Sequence, residues 1–208
     1  MRIAPLRAGV GAAVVTAALL LAGCTGLQGK PRDVLDDNTW TLTQELRALD
    51  GVEDASASGA YEGTWPIWVE VMLADDLDRD ETLDTMVAIH DTVIAADRFG
   101  EEFGRYELKV FAIDPVDHPS GVGIVWDRGL PAAADGVRAD TSLWLDLIDQ
   151  APAVSVWFQA LGTRGHLTVL REVAADGTLA DPATLEPLYQ AVFADAGLDP
   201  AEFEVDIE

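Results

Sequence analysis

Cysteine is almost missing from this chain: one residue in 208, Cys24. That excludes a disulfide framework and any multi-cysteine metal site. Basic side chains are scarce too, 13 Lys and Arg against 37 Asp and Glu, for a formal net charge of -24. A polyanion of this kind repels nucleic acid and has no basic patch to offer anionic lipid headgroups. No Gly-x-x-x-x-Gly-Lys-Ser/Thr phosphate loop, no Gly-x-Ser-x-Gly elbow and no His-Glu-x-x-His pair occurs. Gly121-Val122-Gly123 is half a dinucleotide fingerprint and precedes a strand, so it implies no nucleotide. The one long uncharged run, Ala8 to Leu21, is short of the roughly 20 apolar residues that a membrane span needs. What is present is apolar mass: hydrophobic residues make up 49% of the chain, enough for a packed core in one large domain or two small ones.

The amino terminus has the parts of a secretory signal: Arg2 and Arg7, then the apolar run, then Leu21-Ala22-Gly23-Cys24. This tetrapeptide resembles the lipobox of bacterial lipoproteins, with the sole cysteine where the motif requires it. The resemblance implies cleavage before Cys24, a diacylglyceryl group on its sulfur, and a mature protein held to the membrane by that lipid. Two acyl chains at about 0.8 kcal/mol per buried CH₂ anchor stably where one does not. Residues 1–23 are therefore expected to be a lipoprotein signal peptide and residues 24–37 a tether. The Ala, Asp and Val usage resembles that of lipoproteins from high-GC actinobacteria.

Downstream, one order of elements is written twice. A helix begins near Asn38 or Thr39 with Leu42, Leu46 and Leu49 at helical spacing, and ends at Gly51. A weak strand, Val52 to Ala60, precedes a strong one in which Ile67, Val69, Val71 and Leu73 alternate with Trp68, Glu70 and Met72. A helix from about Glu81 presents Leu83, Met86, Val87, His90, Val93 and Ile94, and a strand runs from Arg105 to Ile113. Roughly 100 residues later come a helix capped by Asp140 or Thr141, strands over 153–160 and 166–173, another helix and a final strand at 203–207. The last helix starts either at Asp181-Pro182, with Pro187 inside it, or at Thr184. A strand at Gly121 to Trp126 completes the second set as β-α-β-β-α-β.

That order matches the ferredoxin-like arrangement. The expected class is α+β: two tandem ferredoxin-like units, each an antiparallel sheet with helices on one face, the alternative being a single α+β domain with a long meandering sheet. In the first unit (38–113) the opening strand is absent or comes from Val34-Leu35, 114–120 is a linker, and the second unit spans 121–208. On the sheet side away from the helices fall Trp68, Met72, Phe111, Trp157 and Leu170. Apolar side chains gathered there mark an interface. The two units would bury these faces against each other, or the faces would form a groove for a partner or ligand.

Sites for chemistry are few. His90 reads as a core-edge residue, His118 lies in a Pro-rich turn, and His166 opens a strand. Asp76, Asp78 and Asp80 alternate as a calcium loop begins, but Glu81 stands where glycine is needed and Val87 where a bidentate glutamate is needed. A looser site at Asp75, Asp76, Asp78 or Asp80 competes with the simpler reading of acids at a helix start, opposing the dipole. The sequence thus points to no catalytic residue, no cofactor and no metal. It points to a lipid-anchored, non-enzymatic binding or assembly module outside the cytoplasmic membrane, the alternatives being a module that docks an envelope protein through the apolar sheet face, or an enzyme with a dispersed site.

Overall fold

The computed structural model describes residues 30–59, 67–95, 106–112, 122–126, 131, 133–150, 153–160, 164–171 and 178–208. The leader, Cys24, the 114–120 linker and His118 lie outside the described residues. Among the described residues, four α-helices and seven strands follow in the order α1 (Lys30–Arg47), β1 (Val52–Gly59), β2 (Ile67–Leu73), α2 (Arg79–Ala95), β3 (Tyr106–Phe111), β4 (Gly123–Trp126), α3 (Ala134–Asp149), β5 (Ala153–Ala160), β6 (Gly165–Arg171), α4 (Pro182–Asp195) and β7 (Phe203–Ile207). None of these helices is long and apolar enough to cross a membrane.

All seven strands form one sheet, in chain order from β1 to β7. The pairing alternates: β1/β2, β3/β4 and β5/β6 are antiparallel, and β2/β3, β4/β5 and β6/β7 are parallel. This corrects the expected pair of antiparallel ferredoxin-like sheets. The physical reason is in the connections: a direct turn returns the chain antiparallel, whereas a helix between two strands brings it back parallel. Three helices each join neighbouring strands, so three parallel pairs result. The strands advance in one direction while their polarity reverses at β3/β4. With every helix on one face, the crossover through α3 therefore has the hand opposite to those through α2 and α4, against the usual right-handed rule.

The α-β-β-α-β order does recur, with the same antiparallel-then-parallel pairing in each half. The halves are not separate bodies, however. Leu108 faces Trp126 and Val110 faces Ile124 across β3/β4, and one hydrophobic core runs from Leu35 in α1 to Phe203 in β7.

The helix-facing side of the sheet is apolar along every strand: Val69 and Val71, Leu108 and Val110, Ile124 and Trp126, Val156 and Phe158, Leu167 and Val169 are all buried. Against them lie Leu42 and Leu46, Met86, Ile89 and Val93, Leu143, Trp144 and Leu147, and Tyr189 and Phe193. Phe193 stacks on Phe203 with centroids 4.2 Å apart. The seam between α2 and α3 carries Arg79 to Asp146 at 2.8 Å and Arg138 to Asp84 at 2.5 Å.

Several helix starts differ from the sequence expectation. α1 begins at Lys30, not near Asn38, so residues 30–37 of the expected tether are helical. Thr39 is no cap; its hydroxyl donates to Leu35 O at 2.9 Å inside the helix. α3 begins at Ala134 rather than at Asp140 or Thr141. α4 starts at Asp181-Pro182, where the Asp181 carboxylate accepts from Ala183 N at 3.0 Å, and Pro187 lies within it. Gly197, at φ 76, closes that helix in the left-handed region that glycine enters without strain.

Candidate functional site

Among the described residues, one side of the sheet carries all four helices and the other carries none. The register specifies which residues share the uncovered side, since paired residues point the same way. A first row crosses the strands as Asp54, Met72, Phe111, Gly123, Trp157, Thr168 and Asp206. The row beside it is Ser56, Glu70, Lys109, Val125, Gln159, His166 and Glu204. Trp68 follows Glu70 on β2, opposite Glu107, and Leu170 sits on β6 opposite Ser155. The five residues singled out from the sequence, Trp68, Met72, Phe111, Trp157 and Leu170, thus share one face of one sheet. Two units joined edge to edge cannot stack these faces on each other, which removes the internal-interface reading.

The centre of the face is aromatic. Phe111 meets Trp157 edge-on, with centroids 5.3 Å apart and planes at 84°. Gly123, on the strand between them, lets this happen. A Cβ at that position would lie 3.0 Å from Trp157 Cζ3 and 3.0 Å from Val110 O. The indole therefore reaches across β4 over a residue with no side chain. Phe111 is 7% exposed, although it lies on the uncovered side, because Trp157 shields it.

Next to this cluster is a groove of about 300 Å³ lined by Glu107, Lys109, Val125, Trp157, Gln159, His166 and Thr168. Lys109 Nζ is 3.2 Å from Glu107 Oε1 and 4.0 Å from Glu70 Oε1. His166 Nε2 is 3.0 Å from Asp206 Oδ2. Lys109 is matched by Glu107 and Glu70, and with Asp54, Glu204 and Asp206 on the same face carboxylates outnumber lysines there. Its binding groups are an amide, an imidazole, carboxylates and an indole. From the sequence only Trp157 was singled out for the groove. The signal for the others was parity, since Lys109, Val125 and Gln159 point the same way as Phe111 and Trp157.

The other candidates lie elsewhere. His90 is 1% exposed; its Nε2 is 2.7 Å from Pro131 O and its Nδ1 3.0 Å from Asp91 Oδ1. It clamps α2 to the residues before α3. In the acidic loop, Asp78 Oδ1 accepts from Glu81 N and Glu81 Oε2 accepts from Asp78 N, both at 2.9 Å. This is a reciprocal cap on α2, which engages one oxygen of each carboxylate. Among the described residues no group of three or more His, Cys, Asp or Glu side chains could hold a metal ion.

Two buried groups on the helix side are perturbed. The Trp126 indole donates to Asp140 Oδ2 at 2.8 Å, and burial raises the Asp140 carboxyl above its ordinary 3.8, with that hydrogen bond opposing the shift. Burial also raises the Tyr189 phenol. Its hydroxyl, the Thr141 hydroxyl and the Trp144 indole N–H lie buried with no hydrogen-bond partner among the described residues.

Comparison with known proteins returns no significant match: no family model, no curated protein and no solved structure.

Proposed function

We propose that this protein is a non-enzymatic binding or assembly module, tethered through lipid on Cys24 to the extracytoplasmic side of the cell membrane. In this reading its two α-β-β-α-β halves are tandem copies of one unit, fused edge to edge so that their uncovered faces add up to one broad surface. The observation that supports the binding role is that surface: Trp68, Met72, Phe111 and Trp157 gathered on the side of the sheet that no helix covers. A partner that covers the part-exposed Met72 and Trp157 removes their remaining apolar surface from water. The lipobox at Leu21 to Cys24 supports the location.

Two experiments test the two parts separately. Metabolic lipid labelling of wild type and Cys24→Ala tests the tether: label should be incorporated by the first and lost from the second. Label persisting in the variant contradicts the anchor. Trp157→Ala tests the face: partner capture from intact cells should fall while the melting temperature holds. Loss of stability with capture unchanged contradicts the binding role.

A further inference from the structure

Any occupant of the uncovered face has to match both its geometry and its charge. The apolar row from Met72 through Phe111 and Gly123 to Trp157 runs across four strands, about 14 Å at about 4.8 Å per strand. About nine residues of α-helix span that length. The parallel row holds Glu70, Lys109 and Val125, with Glu107 one step along β3. Asp54 closes one end of the apolar row, and Asp206, with Glu204 beside it, closes the other. Against these five carboxylates stand Lys109, 3.2 Å from Glu107 and 4.0 Å from Glu70, and Arg47 of α1, 2.7 Å from Asp54, while His166 contacts Asp206. The rim is therefore negative, and so is the whole chain at -24.

A second copy of the chain is a poor occupant, because it would set carboxylates against carboxylates. Addition of a strand at the β1 edge is also disfavoured. The Ala57 N–H there donates to Thr43 of α1 at 2.9 Å, and the Ala55 N–H to Asp54 Oδ1 at 2.8 Å. The usable surface is the face itself. At roughly 30 Å by 20 Å it approaches the ~800 Å² per partner of a standard interface.

We propose that this face binds a cationic amphipathic helical segment of a partner protein, laid across the strands. Its apolar stripe covers Met72, Phe111 and Trp157. Its Lys or Arg side chains reach Glu70, Glu107, Glu204 and Asp206, with one such side chain entering the groove over Val125 and against the Trp157 ring. The ring favours a cation there, which shares Glu107 with Lys109. This deepens the binding role proposed above and rests on it, but it does not depend on the lipid at Cys24.

The test uses the full chain in neutral phosphatidylcholine nanodiscs, with protein-free discs subtracted. The probes are an 18-residue Leu/Lys amphipathic helical peptide and the same peptide with Glu for Lys. The Lys peptide should bind at least about tenfold tighter, and binding should weaken as salt rises. Glu70→Gln with Glu107→Gln should weaken it about tenfold, while Asp75→Asn with Asp76→Asn, equal in charge but off the face, should leave it unchanged. Should the first pair fail to fold, Glu204→Gln with Asp206→Asn takes its place. Equal binding of both peptides, or equal weakening by face and off-face pairs, overturns the proposal. So does absence of binding, or a dimer by light scattering whose formation protects Trp157. Lipid labelling at Cys24 can succeed or fail independently, so the two failures are distinguishable.

Discussion

At the scale of single residues, polar atoms under the helices and one absent side chain on the open face carry the account. Asp140 holds its proton more tightly folded than unfolded, because burial outweighs the Trp126 hydrogen bond. The stability linked to it is full below the ordinary 3.8 and is lost as pH rises through the raised folded value. Asp140→Asn keeps an oxygen for the Trp126 indole and carries no ionisable proton. Its stability relative to wild type should therefore grow as pH rises from about 3 to 7, measured by urea unfolding at each pH. A difference that stays flat with pH contradicts the assignment. On the open face, Gly123→Ala puts a methyl group 3.0 Å from the Trp157 ring and from Val110 O. It should cost about 1–3 kcal/mol by overpacking. Part of that loss should return when Trp157→Ala is added, which a double-mutant cycle reads directly.

At the scale of elements, edges and caps decide behaviour. The β1 strand is weak in sequence, Val-Glu-Asp-Ala-Ser-Ala-Ser-Gly, yet it ends the sheet safely because α1 lies against it and Thr43 accepts from its Ala57 N–H. Thr43→Val should leave that donor unpaired at a cost of about 1–3 kcal/mol, and the variant should aggregate sooner on heating. Asp78→Ala breaks the reciprocal cap with Glu81 and should cost α2 about 1 kcal/mol by denaturant unfolding. The strands were legible because alternation has a period of two and each run was bounded by turn residues. Helix starts were less legible. Ala133 opens α3 with no side-chain cap bond, so the Asp140 and Thr141 of the sequence pattern lie inside that helix, as Asn38 and Thr39 lie inside α1. The buried side of α2 was also misjudged by part of a turn: Thr82, Thr85 and Ile89 face inward, whereas Ile94 is 44% exposed. Thr scored as polar hid that stripe. In α4, Tyr189 is wholly buried and Leu188 is 42% exposed, the reverse of their order by hydropathy.

At the scale of the molecule, the sequence repeat was real as an order of elements but misleading as a division into bodies. Nothing in Leu108-Lys109-Val110 or Gly123-Ile124-Val125 announces that these strands pair with each other, and that pairing turns two sheets into one. With a continuous sheet and core, fluorescence and circular dichroism should report a single coincident urea transition. Two resolved transitions would mean that the halves fold separately. The candidate face was legible from strand parity alone, whereas its width and the groove beside Trp157 required the register. The binding role requires solvent to reach Met72 and Trp157 in the isolated protein. Hydroxyl-radical footprinting of the full chain with mass-spectrometric readout tests it most directly. Trp68, Met72 and Trp157 should be oxidised readily, while Trp126, Trp144 and Met86, buried under the helices, should be spared. Protection of Met72 and Trp157 to the level of Trp144 would contradict it.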